Sequence, residues 1–168
     1  ENVVPGQDDR EQGYWRDVGT IDTYFAANMD LIAPLPVFNL YNHDWPVHTH
    51  LPSLAPAKIS QDLDGRGATV SSSLLCQGSL VVGGRVERSI VGPDVTIEGR
   101  ADVEDAILLP GVSVGRGARL RRCIVDKNVI VPEALAIGFD PEVDAERFTI
   151  SSGGIVVVEK GRDLTVYA

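Results

Sequence analysis

The chain has 168 residues, is 43% apolar but only 6% aromatic, and carries a formal net charge of −9 with a pI near 4.7. That length holds one domain, or one domain with an appendage, and the aliphatic, Gly-rich makeup favours many small regular layers over a core of large rings. The negative field repels phosphate backbones and excludes general nucleic-acid binding, so an anionic ligand needs a local basic cluster.

In chain order, the opening "ENVVPGQDDREQG" is acidic and polar, unlike a signal peptide, and lacks a starting Met. These features point to a segment of a longer protein. The next stretch, "YWRDVGT" from Tyr14 to Thr20, packs two aromatics, an Arg, an Asp and a turn Gly together, the density of an active-site edge. Thr20 is suited to N-cap a helix. Ile21, Tyr24, Phe25, Met29 and Ile32 fall on one face, which predicts a helix from about Ile21 to Leu31, ended by Pro34 and Pro36.

From Ala33 to Ile59 the chain carries Pro34, Pro36, Pro46, Pro52 and Pro56. It reads as an extended linker that packs through Phe38, Tyr41 and Trp45, rings that are costly to leave in water. His48 and His50 alternate as strand residues do, and they read as exposed residues rather than metal ligands.

The strongest pattern follows. Aliphatic residues recur at Leu75, Leu80, Val86, Val91, Ile97, Val103, Leu109, Val114, Leu120, Val125, Val131 and Ile137, in steps of five or six. That period is neither helical nor a two-residue alternation; it is the mark of a hexapeptide-repeat parallel β-helix, with three sides to a coil and about four coils. The pattern does not fix its hand. One coil cannot bury its own apolar side, so stability comes from stacking.

"GFDPEVDAERF" then places Asp140 as N-cap and Pro141 at the first helical position of a short helix, and "SSGGIVVVEKG" reads as a turn and a strand. Together they cap the prism. The acidic run Asp140 to Glu146 suits a helix N-terminus and lacks the pattern of a calcium loop. The four zones are bounded at 1–33, 34–60, 61–139 and 140–168.

Hexapeptide β-helices often serve acyltransferases that use a surface His as base. All three His here precede the repeats, which argues against a self-contained acyltransferase. Cys76 and Cys123 show no C-x-x-C spacing and read as reduced thiols of a cytoplasmic protein. No apolar run is long enough to predict a transmembrane helix. Arg116, Arg119, Arg121, Arg122 and Lys127, with Lys160 and Arg162 later, form a basic cluster that reads either as a small-phosphate site or as a solvated, ion-paired face.

"GYWRDVGTIDTYFAANMDL", "FNLYNHDWPVHT", "APAKI", "VEDAILLPGVSVGRGARLRRCIVDKNVIVP", "IGFDPEVDAERF" and "GGIVVV" occur in the order found in the C-terminal part of bacterial glucose-1-phosphate adenylyltransferases, and the chain strongly resembles that family over essentially its whole length. "YNHDWPVHT" and the Lys of "VDKN" resemble actinobacterial versions. The resemblance implies a nucleotidyltransferase α/β domain, of which residues 1–33 are the remnant, followed by a left-handed β-helix for regulation and tetramer assembly. It implies that ATP and glucose 1-phosphate yield ADP-glucose and pyrophosphate in glycogen synthesis. It makes Trp15 and Asp17 catalytic-site residues, with Asp17 a Mg²⁺ ligand. It makes Lys127, Lys160 and, more loosely, Arg162 the binding residues for a sugar-phosphate or organic-acid effector.

The family's Gly-rich nucleotide loop, catalytic Lys and second metal-binding Asp have no counterpart here. The glycines of "VGRGAR" fall at repeat corners. The chain alone is therefore expected to be inactive. A purely structural oligomerisation module is the alternative reading, ahead of a hexapeptide acyltransferase.

Overall fold

The structure, a computed structural model, describes residues 5–6, 9–50 and 52–167. Three parallel ladders form the sides of a prism. The first stacks Lys58–Ser60, Leu80–Val82, Thr96–Ile97, Ser113–Val114 and Ile130–Val131. The second stacks Thr69–Ser71, Arg85–Glu87, the first half of Asp102–Leu108, the first half of Arg119–Val125, and Ala136–Ile137. The third stacks Leu74–Leu75, Ile90–Val91, the second halves of the two long strands, and Val156–Val158. This is the left-handed parallel β-helix that the resemblance implies. Its first ladder begins at Lys58, so the solenoid takes in the last residues before the boundary drawn at 61.

Val81, Val86, Val91, Ile97, Val103, Leu108, Val114, Leu120, Val125, Val131 and Ile137 point inward and are essentially inaccessible. Two positions differ from the sequence reading. Val81 and Leu108, not Leu80 and Leu109, fill the prism, because hydrogen-bonded register pairs Val81 with Ile97 and Leu108 with Val125. Adjacent aliphatics make the count of six ambiguous at these two points, and backbone pairing resolves it.

The corner between the second and third sides is turned by a column of left-handed residues: Ser72, Arg88, Asp105 and Arg122, with φ between 44° and 47°. Arg88 donates to both oxygens of Asp105, at 2.8 and 2.6 Å, and to Glu104 at 2.9 Å. Arg88 thereby holds the Asp105 carboxyl below its ordinary range. The chain leaves the prism at Gly138, φ 87°, where a Cβ would run into the Arg121 carbonyl oxygen.

Helix α1 spans Ile21–Asp30. Thr20 caps it, its hydroxyl accepting from Thr23 N–H at 3.1 Å, while Thr23 answers from its own side chain. Phe25, Ile21, Tyr24 and Met29 pack on Ile107, Ile124, Leu109 and Ile155, so the helix lies on the third side. That face removes apolar surface from water at about 25 cal/mol per Å². Helix α2, Pro141–Arg147, is capped by Asp140, which accepts from the N–H groups of Glu142 and Val143. Its buried Asp144 accepts from Gly138 N–H at 2.9 Å. Thr149–Ile150 then pairs antiparallel with Val156–Val158, which takes the next rung of the third side. Phe148, Leu164 and Tyr167 pack at this end as a cap.

The linker packs only in part. Phe38 stacks on Tyr14 at 5.6 Å, and Asn39 N–H donates to Glu11 at 2.8 Å. Tyr41 and Trp45 instead stand 71% and 58% exposed. The side chains of Asn39 and Asn42 accept from the backbone N–H of Tyr41, Asp44 and Trp45, local turns that present both rings outward.

Candidate functional site

The Tyr14–Thr20 segment lies beside α1 rather than inside the prism. Arg16 is ion-paired with Asp30 at the far end of the helix. Asp17 Oδ1 accepts from Gly19 N–H at 2.9 Å, an Asx-type turn that aims the chain into the Thr20 cap. A Cβ on Gly19 would stand 3.1 Å from that same oxygen, so glycine permits the close turn. Trp15 is 81% exposed. The segment therefore presents an aromatic plate and a carboxylate on one exposed strip. Among the described residues there is no group of three or more His, Cys, Asp or Glu side chains able to hold a metal. Asp17 supplies at most one carboxylate to a hard cation such as Mg²⁺, which takes oxygen ligands.

Lys127 and Lys160 both follow strands that pair on the third side. The third-side register pairs Val125 with Val158, and Asp126 N–H continues it by donating to Val158 O at 2.9 Å. Lys127 and Lys160 each lie two residues beyond that pair, in the turns that follow two strands spaced about 5 Å apart. Both are exposed. Asp126 Oδ1 accepts from Lys127 N–H at 2.6 Å and holds the corner turn. Arg162 points elsewhere: its guanidinium donates to Arg147 O at 2.7 Å and to the Tyr167 hydroxyl at 2.9 Å, which fastens the cap to α2.

The basic run from Arg116 to Arg122 does not converge. Arg116 pairs with Asp64, which raises its pKa; Arg119 lies 4.1 Å over the Phe139 ring; Arg122 donates to Gly153 O at 2.9 Å. Arg119 and Arg121 share the second side, Arg122 turns the next corner and Arg116 precedes the strand, so Arg116, Arg119 and Arg122 engage three different partners. The two cysteines differ as well. Cys123 is fully buried, and desolvation pushes its thiol up to about 12, while burial also raises half-buried Cys76.

One contact was not expected from sequence. Asp22, in the first turn of α1, accepts from the Ser151 hydroxyl at 2.5 Å, the Ser152 hydroxyl at 2.9 Å and Gly153 N–H at 3.1 Å. The two serine hydroxyls, foremost Ser151, hold its carboxyl below the ordinary value. No local signal marks it, because the partners lie about 130 positions apart.

The family described as GlmU-like, C-terminal hexapeptide matches residues 55–158. The chain is 49% identical, over 95% of its length, to a glucose-1-phosphate adenylyltransferase of Corynebacterium diphtheriae, of which it covers 36%. It is 48% identical to the one of Frankia casuarinae and 45% identical to the one of Geobacter metallireducens, covering 95% and 94% of this chain and 39% of each relative. The chain thus spans little more than a third of the length of these curated relatives. Among the described residues no helix is long and apolar enough to cross a membrane.

Proposed function

Because the chain belongs to the GlmU-like C-terminal hexapeptide family, and its relatives are adenylyltransferases, we propose that it is the regulatory and assembly part of a glucose-1-phosphate adenylyltransferase. The observation that carries this reading is the match over 95% of the chain at 49% identity. In the reaction, a phosphate oxygen of glucose 1-phosphate attacks the α-phosphorus of ATP and pyrophosphate leaves. Such transfers depend on positioning and charge neutralisation. Trp15 offers an apolar face to the sugar-phosphate side. Asp17 would supply a carboxylate oxygen to Mg²⁺, which when bound would neutralise phosphate charge. The remaining walls of the site are supplied from outside these residues.

The effector site is the Lys127–Lys160 corner. Two ammonium groups in the turns that follow two paired strands give a small anion two point charges that a net charge of −9 elsewhere does not. Arg162 serves this site by bracing the cap that follows Lys160. The solenoid also supports homo-oligomer assembly, a tetramer in the complete enzyme.

The test is ADP-glucose formation from ATP and glucose 1-phosphate by the full-length polypeptide carrying this chain, with the 168-residue chain assayed beside it. Synthesis by the former and none by the latter is expected. Turnover by the purified chain alone, or acetyl transfer from acetyl-CoA in place of nucleotidyl transfer, would overturn the reading.

A further inference from the structure

We infer that Asp22 is a positioning residue that ties the Tyr14–Thr20 segment to the hairpin carrying Lys160, so that an anion at the Lys127–Lys160 corner acts on the catalytic edge through this contact. The inference rests on the effector and active-site roles proposed above.

Asp22 stands two residues after the Thr20 cap and five after Asp17. Both of its oxygens are spent on the Ser151–Gly153 turn, with three donors between 2.5 and 3.1 Å. The turn is built to receive it. A Cβ on Gly153 would lie 2.5 Å from Asp22 Oδ1, so a larger residue there would displace the carboxylate from its present place. The Ser151 oxygen also accepts from Ile155 N–H at 3.0 Å, and Arg122 holds the Gly153 carbonyl at 2.9 Å from the next corner of the prism. A carboxylate in the first turn of a helix already has the helix's own N–H groups within reach; here it is committed across the interface instead.

The turn leads directly into Val156–Val158, which is hydrogen-bonded to Cys123–Val125, and then to Lys160. Lys127 follows the partner strand. A shift of this rung therefore moves the turn, and the turn holds the N-terminal end of α1. Coupling of this kind is reciprocal in binding free energy. The apolar face of α1, with Phe25 against Ile107, Ile124 and Ile155, stays in place when the carboxylate is removed, so the variant keeps its fold.

The test compares full-length wild type with Asp22→Ala, Ser151→Ala/Ser152→Ala and Ser151→Thr/Ser152→Thr. ADP-glucose formation is measured against fructose 1,6-bisphosphate, with inorganic phosphate as a second probe. Expected are a basal rate within about twofold of wild type, a loss of at least about fivefold in effector affinity or activation for the two Ala variants, and retention in the Thr pair. Wild-type activation in the Ala variants overturns the inference while leaving the proposed function standing. Absence of ADP-glucose formation in wild type overturns the proposed function instead. Amide exchange on the 168-residue chain decides the contact without catalysis. Asp22→Ala is expected to speed exchange at both Gly19–Thr23 and Gly153–Val158, and a change confined to α1 overturns the tie.

Discussion

Leu108 and Leu109 are neighbours of identical chemistry, and the register assigns them opposite sides of the wall. Leu108 is fully buried between Val91 and Val125, whereas Leu109 is half-buried against α1. Truncating Leu108 leaves a cavity that stacked rungs cannot close, since the backbone ladder fixes their spacing. The cost is about 2–5 kcal/mol. A loss of about 3 kcal/mol lowers the melting temperature by about 6–12 °C in a domain of this size. Leu109→Ala removes atoms that are only partly covered and costs about 1 kcal/mol; its effect falls on α1. Urea and thermal unfolding of both variants, followed by circular dichroism, measure the difference. Equal costs, or a larger one for Leu109→Ala, would refute the register and with it the placing of the third side.

Three further outcomes follow from the same structure. Gly138→Ala is expected to lower stability by at least about 2 kcal/mol, since φ is 87° and the Arg121 carbonyl blocks a Cβ. Gly117→Ala, at φ 71° with open space around it, is expected to cost only about 1 kcal/mol, and a comparison of urea midpoints checks the contrast. Thiol labelling is expected to modify Cys76 slowly and Cys123 only on unfolding, because the Cys123 thiol is inaccessible and pushed up to about 12. Asp22 and Asp105 both have folded pKa values below the ordinary 3.8, so the folded chain binds these protons less readily than the unfolded one. Their stabilisation is present above about pH 4 and is lost as pH falls through the folded values. Asp105→Asn should therefore flatten the acid limb of melting temperature against pH, and an unchanged limb counts against the Arg88–Asp105 pair.

Much of the fold was legible because a solenoid writes its geometry as a period. Steps of five and six marked three sides to a coil, and Thr20, Asp140 and Pro141 marked helix starts by local chemistry alone. Leu80 and Leu109 were misplaced because each has an aliphatic neighbour, and only inter-strand hydrogen bonds choose between them. Tyr41 and Trp45 were expected to pack, yet asparagine turns hold them outward. The candidate site was legible differently. Trp15, Asp17, Lys127 and Lys160 are proposed from motif order, whereas the pairing of the strands that precede the two lysines needed the register. In the Arg116–Arg122 run, Arg116 turns to Asp64, Arg119 to the Phe139 ring and Arg122 to the Gly153 carbonyl, partners that sequence proximity does not reveal. The Asp22 contact carried no signal in sequence, since it joins the first helix to the last hairpin.

The claim that Lys127 and Lys160 form the effector corner is tested most directly by titrating the isotopically labelled chain with fructose 1,6-bisphosphate and following backbone amide resonances. The account predicts shifts grouped at Asp126–Asn128 and Val158–Gly161 that disappear in Lys127→Ala/Lys160→Ala. Shifts centred on another face of the prism, or an undiminished response in the double variant, would contradict it.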